Sequence, residues 1–115
     1  MNDVGYLSLT KKIMQDELTN EELINCLDMP NVPLIQQTIL KLIEKKICAS
    51  NISIKLLEYS KCMDKKFKIL GLCRIGHLAI YALKKLGYLE EFKELYVKLS
   101  DEDKEQIEIL EKTLF

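Results

Sequence analysis

Apolar residues recur at helical spacing along nearly the whole chain, and one stretch is apolar on almost every side. Between Ile69 and Leu83 only Arg74 and His77 interrupt a run of hydrophobic residues and glycine. A helix there has no polar face and belongs inside the protein. The segment Phe67–Gly87 is therefore expected to be the centre against which the rest packs. Ahead of it, Tyr6, Leu9, Ile13 and Met14 mark one face of a first helix over residues 6–17. Thr19-Asn20-Glu21-Glu22 has the spacing of a capping box and introduces a short helix through Leu23, Ile24 and Leu27. Asp28-Met29-Pro30-Asn31-Val32-Pro33 is the clearest breaker, with Pro33 suited to the first turn of the next helix. That helix carries Ile35, Ile39, Leu42 and Ile43 on one stripe, and another over residues 52–62 presents Ile52, Leu56, Leu57 and Tyr59.

Two glycines bear on the central stretch. Gly71 and Gly76 each lower helix propensity by about 1 kcal/mol relative to alanine, so a close contact or a break must account for them. A turn near Gly76 is expected to divide the run into two helices. Lys84 and Lys85 followed by Gly87 have the character of a helix C-terminus and its cap. Residues 88–99 form an amphipathic helix through Leu89, Phe92, Leu95, Tyr96 and Leu99. Ser100 caps the last helix, whose first turn, Asp101-Glu102-Asp103, suits the positive end of the helix dipole. No segment alternates with period two. The pattern predicts an all-α domain over residues 1–115, either short antiparallel hairpins stacked as a small α-solenoid or a compact bundle of six to seven helices.

Composition agrees with one globular domain: 115 residues, 48% apolar and 30% charged, with only 4 glycines and 2 prolines. The opening residues, MNDVGYLSLTKK, lack the basic region and apolar run of a secretory signal. The central run offers about 15 mostly apolar residues against the roughly 20 of a spanning helix, so no membrane span is expected. Cys26, Cys48, Cys62 and Cys73 contain no C-x-x-C pair and read as reduced thiols on apolar faces, which suits a cytoplasmic protein.

Charge changes the picture more than composition does. The net charge of -1 conceals a segregation: residues 1–40 carry 2 basic and 6 acidic groups, residues 41–85 carry 11 and 3, and residues 86–115 carry 4 and 9. Such blocks either draw adjacent helices together or leave a basic surface for an acidic partner. Lys61, Lys65 and Lys68 recur at i, i+4 and i+7, and Lys41 with Lys45 repeats the spacing. On neighbouring helices they would form a basic stripe able to contact phosphates. Against nucleic acid stand a pI of about 5.9 and the lack of aromatic residues among these lysines.

A repeat is also present. Shifting the chain by 35 residues places Phe67 over Val32, Leu70 over Ile35, Ile75 over Leu40 and Leu78 over Ile43. With Asp28 and Asp64 before the two copies and Ile75-Gly76 ending a helix, the chain resembles HEAT-like repeats. The segment Gly76–Leu99, through Ala79, Leu83, Gly87, Phe92 and Tyr96, is similar to a tetratricopeptide hairpin. Pro33 and Lys68 stand where HEAT repeats usually carry arginine. Both resemblances imply an α-solenoid fragment with a concave surface for a macromolecule, and neither implies a catalytic motif.

The sequence contains no phosphate-binding loop, no G-x-S-x-G and no H-E-x-x-H. Cys73 and His77 lie one helical turn apart among Leu, Ile and Ala, which makes them core rather than nucleophile and base. Arg74 amid apolar neighbours calls for a partner: Asp64, Glu58 or an acidic C-terminal side chain within the protein, or an acidic partner outside it. The reading that follows is a non-enzymatic protein-binding module for one acidic or charge-complementary protein, such as an immunity-type inhibitor that neutralises a toxin. Its contact residues are Lys41, Lys61, Lys65, Lys68 and Arg74. No catalytic residue, metal or cofactor is assigned. The alternative is a nucleic-acid-binding repeat using the lysine-rich face. Solenoid ends also expose apolar faces through which two copies could cap each other as a homodimer.

Overall fold

Local signals set most of the helix ends in the computed structural model, which describes residues 3–114. Helix α1 spans Asp3–Met14 and α2 spans Asn20–Asn25. The Thr19 hydroxyl accepts from the Glu22 N–H at 3.1 Å, and the Thr19 N–H donates to the Glu22 carboxylate at 2.9 Å. That backbone donor also holds the Glu22 carboxyl below its ordinary pKa. A 3-10 turn over Cys26–Asp28 leads to α3, Val32–Lys45. Asn31 caps α3 by accepting from the Leu34 N–H at 3.0 Å, and Pro33 occupies its first turn. Helix α4 is Ser50–Tyr59, α6 is Leu89–Tyr96 and α7 is Asp101–Thr113. Ser100 caps α7 as its spacing predicts, accepting from the Asp103 N–H at 3.2 Å.

The central stretch differs from the expectation. A 3-10 turn over Lys65–Phe67 runs into an antiparallel hairpin of β1, Lys68–Leu70, and β2, Cys73–Arg74, and one unbroken helix, α5, then covers Ile75–Lys85. The break falls at Gly71, not Gly76. Gly71 has φ of +56° at the first position of a two-residue connection, where hairpins favour glycine. Gly76 lies in the first turn of α5 for a different reason. A Cβ there would come within 2.8 Å of Met63 Sδ and 2.9 Å of the Ser60 carbonyl oxygen. The Gly76 N–H donates to the Cys62 carbonyl at 3.0 Å, so the segment after α4 lies directly on the helix. In secondary structure the 35-residue overlay lays α3 on the hairpin and the start of α5.

The predicted centre is the observed one. Every residue from Ile75 to Leu83 is buried, and α5 touches α3, α4, α6 and α7 while α1 covers α3. The radius of gyration is 13.4 Å. A compact domain of this length has about 13 Å, so the dimensions suit a helical bundle around α5. Gly87, at φ +89°, ends α5 in the left-handed conformation. Next to it, the Tyr88 hydroxyl reaches across to the α3–α4 connection, accepting from the Ala49 N–H at 3.1 Å and donating to the Ala49 carbonyl at 3.0 Å.

Helix propensity alone favours alanine at position 76, whereas the contact with Ser60 and Met63 opposes it. Gly76→Ala is expected to destabilise the protein by about 1–3 kcal/mol in urea unfolding; equal or greater stability would show that the contact gives way freely.

Candidate functional site

The histidine at the start of α5 is taken up by the fold. His77 is fully buried, and its Nδ1 accepts from the Arg74 N–H at 3.0 Å while Nε2 lies 2.8 Å from Asp103 Oδ1 on α7. With Nδ1 accepting, the neutral ring carries its proton on Nε2 and donates to Asp103. The ring thus performs at α5 what Glu22 performs at α2, reaching back to the N-cap N–H from the third helical position. Arg74 cannot return the bond, because a guanidinium has no acceptor.

Cys73 is buried, and desolvation pushes its thiol up to about 11. Its Sγ contacts the Arg74 carbonyl, and both His77 nitrogens are occupied, so the two residues form no nucleophile–base pair. Among the described residues no group of three or more His, Cys, Asp and Glu side chains could hold a metal ion. None of their helices is long and apolar enough to cross a membrane.

Arg74 departs from the expected internal ion pair. The acidic C-terminal side chain, Asp103, pairs with His77 instead, and neither Asp64 nor Glu58 reaches the guanidinium. Arg74 donates to the Leu72 carbonyl at 2.9 Å, and its Nε is buried without a partner among the described residues. Directly opposite, across the hairpin, stands Lys68. Like charges facing each other on adjacent strands are destabilising.

The expected lysine stripe is not a helical face. Lys61 follows α4, Lys65 lies in the 3-10 turn and Lys68 in β1. Together with Lys66 they are nevertheless exposed and close along one short segment. Four lysines elsewhere are paired: Lys41 with Glu44, Lys45 with Asp16, Lys55 with Asp28 and Lys84 with Glu111. Residues 61–74 hold five cations and one carboxylate. Among the described residues none of the five takes part in an ion pair. Lys41 stands apart from them. It borders a depression with Ile13, Met14 and Leu114, about 13 Å along α3 from Val32.

Beside the basic segment lies a groove of about 490 Å³ between the start of α3 and the end of α4. Met29, Val32, Ile35, Tyr59, Cys62 and Phe67 line it, with Lys66 and Asp28 among its polar groups. Lys66 Nζ rests 5.1 Å from the centre of the Phe67 ring. Reading for helical spacing passed over Lys66. The doublet Lys65-Lys66 next to Phe67 was its available signal, and Phe67, which lies between Lys65 and Lys68, corrects the expectation that no aromatic residue stands among these lysines. Comparison with models of known protein families, with curated proteins and with solved structures gives no match to this chain.

Two outcomes follow from the buried groups. His77→Ala strands the Arg74 N–H and removes the α7 tie, and should cost about 2–4 kcal/mol in chemical unfolding; a loss within error of zero would show that water replaces the ring. With its thiol pushed up to about 11 by burial, Cys73 is held in the unreactive protonated form at pH 8. Iodoacetamide should therefore modify exposed Cys48 long before Cys73, as peptide mass spectrometry would report.

Proposed function

We propose that the protein is a non-enzymatic binding module whose basic hairpin edge engages an acidic surface on another protein. One observation carries this reading: residues 61–74 gather five cations against a single carboxylate, and among the described residues none of the five takes part in an ion pair. Lys68 facing Arg74 across two short strands is a repulsion that an external carboxylate would relieve. The adjoining apolar groove supplies surface to bury at the centre of such a contact. An immunity-type inhibitor, which neutralises a toxin by covering its surface, is one module of this kind. Exposed charges of this sort speed association and select partners.

The test is affinity capture from nuclease-treated native lysate with the tagged protein and with a Lys61→Glu, Lys65→Glu, Lys68→Glu variant. These side chains are exposed and make no ion pair, so the variant should keep its circular dichroism spectrum. Wild type should retain a stoichiometric protein that the variant loses, with affinity reduced about 100-fold or more, equivalent to ~2.7 kcal/mol. Equal retention by both proteins would refute the assignment. Retention that disappears on nuclease treatment would assign the lysines to nucleic acid.

A further inference from the structure

Unpaired lysines would attract any anion, but the groove beside them is selective. Its floor is made by Met29, Val32, Ile35, Tyr59, Cys62 and Phe67. The Tyr59 hydroxyl is occupied by the Leu27 carbonyl, so Tyr59 offers the groove chiefly its ring. Asp28, the one acidic group on the rim, is held by Lys55 at 2.7 Å. Lys66 has no carboxylate and sits over the Phe67 ring, at the boundary between the basic segment and the apolar floor. The volume falls in the range of small-ligand sites, about 300–1,000 Å³, large enough for bulky apolar side chains. A rim bearing Lys66, with Asp28 already paired, and a floor of apolar and aromatic side chains describe a ligand with apolar anchors flanked by negative charge.

Resting on the reading of this edge as a protein-binding surface, we propose that the occupant is an acidic segment of the partner protein. It seats one or two large apolar side chains on the floor and sets carboxylates against Lys61, Lys65, Lys66 and Lys68. The division of labour is that of protein interfaces generally, in which a desolvated anchor holds the complex and rim charges steer it. A bare polyanion would use the lysines and leave the groove empty.

Fluorescence anisotropy at about 0.15 M salt tests this with two fluorescein-labelled, glutamate-rich peptides of equal length and charge. One carries Leu and Phe a helical turn apart at its centre, and the other has Ser at both positions. The anchored peptide should bind about tenfold tighter or more. Val32→Gln, a polar change at the first position of α3 on the groove floor, should abolish that advantage, as should Phe67→Ser. Both peptides should weaken when Lys61, Lys65 and Lys68 are reversed to Glu. Equal binding of the two peptides would overturn the anchored segment while leaving the basic edge as a binding surface, and no binding of either would also overturn it. An advantage that survives both groove variants would place the anchor elsewhere. Indifference of both peptides to the lysine reversal would remove the basic edge as well. Methyl resonances of Val32 and Ile35 that shift with protein concentration alone would assign the groove to a second copy. An oligonucleotide of equal charge that displaces the anchored peptide at equal concentration would assign the site to phosphates.

Discussion

Helix α5 has no side turned to water between Ile75 and Leu83, so each polar group within it must be satisfied by the protein itself. Much of the arrangement follows from that constraint. His77 is the one strongly polar side chain in the buried run, and it uses one nitrogen on the N-cap of its own helix and the other on Asp103. Asp103 in turn occupies the first turn of α7, where a carboxylate is favoured by the dipole and Ser100 already caps the backbone. The position of α7 against α5 is thus specified by a polar contact as well as by Ile107 and Leu110 in the core. On the opposite flank, Gly76 lets the chain after α4 approach closely enough for a backbone hydrogen bond to α5.

Charge segregation along the chain has two structural consequences. Part of it is cancelled between elements. Lys45 meets Asp16 from the end of α1, Lys55 meets Asp28, and Lys84 of α5 meets Glu111 of α7. Exposed pairs of this kind contribute little to stability, but they remove those lysines from the set of free cations. Of the seven cations of residues 41–85 that remain outside these pairs and that of Lys41 with Glu44, five lie on the turn and hairpin between α4 and α5. The two readings of the charge blocks, mutual attraction of helices and a basic outer surface, therefore describe different lysines of the same segment.

The sequence carried the helix boundaries that have a local cause; the helices expected over residues 6–17 and 52–62, where it showed no cap, run over Asp3–Met14 and Ser50–Tyr59 instead. Thr19 with Glu22, Pro33, Ser100 and Gly87 act within one turn of the backbone, and each is found where its spacing indicated, whereas Asn31, read only as part of a breaker, proves to be the cap of α3. The apolar run likewise announced the central helix. The hairpin was hidden, because strands of three and two residues are too short to display alternation. Lys61, Lys65 and Lys68 kept helical spacing in a segment that forms no α-helix, since counting positions does not reveal whether the backbone follows the count. Gly76 was misread for a related reason. Its glycine answers to Met63 and Ser60, residues that only the folded chain brings near. The groove joins α3, α4 and the 3-10 turn, and no periodicity within any one of them could point to it.

Tyr88 has a role that extends beyond its own neighbourhood. Ala49 stands at the N-cap of α4 but has no side chain able to cap, and the Tyr88 hydroxyl supplies a polar partner to its backbone from 39 residues away. The beginning of one helix is therefore completed only after the end of another has been delivered to it. Such an arrangement joins the two halves of the chain into one cooperative unit. Hydrogen exchange at the Ala49 amide would follow the opening of the α5–α6 corner, so a residue outside the regular helices reports on the integrity of distant structure.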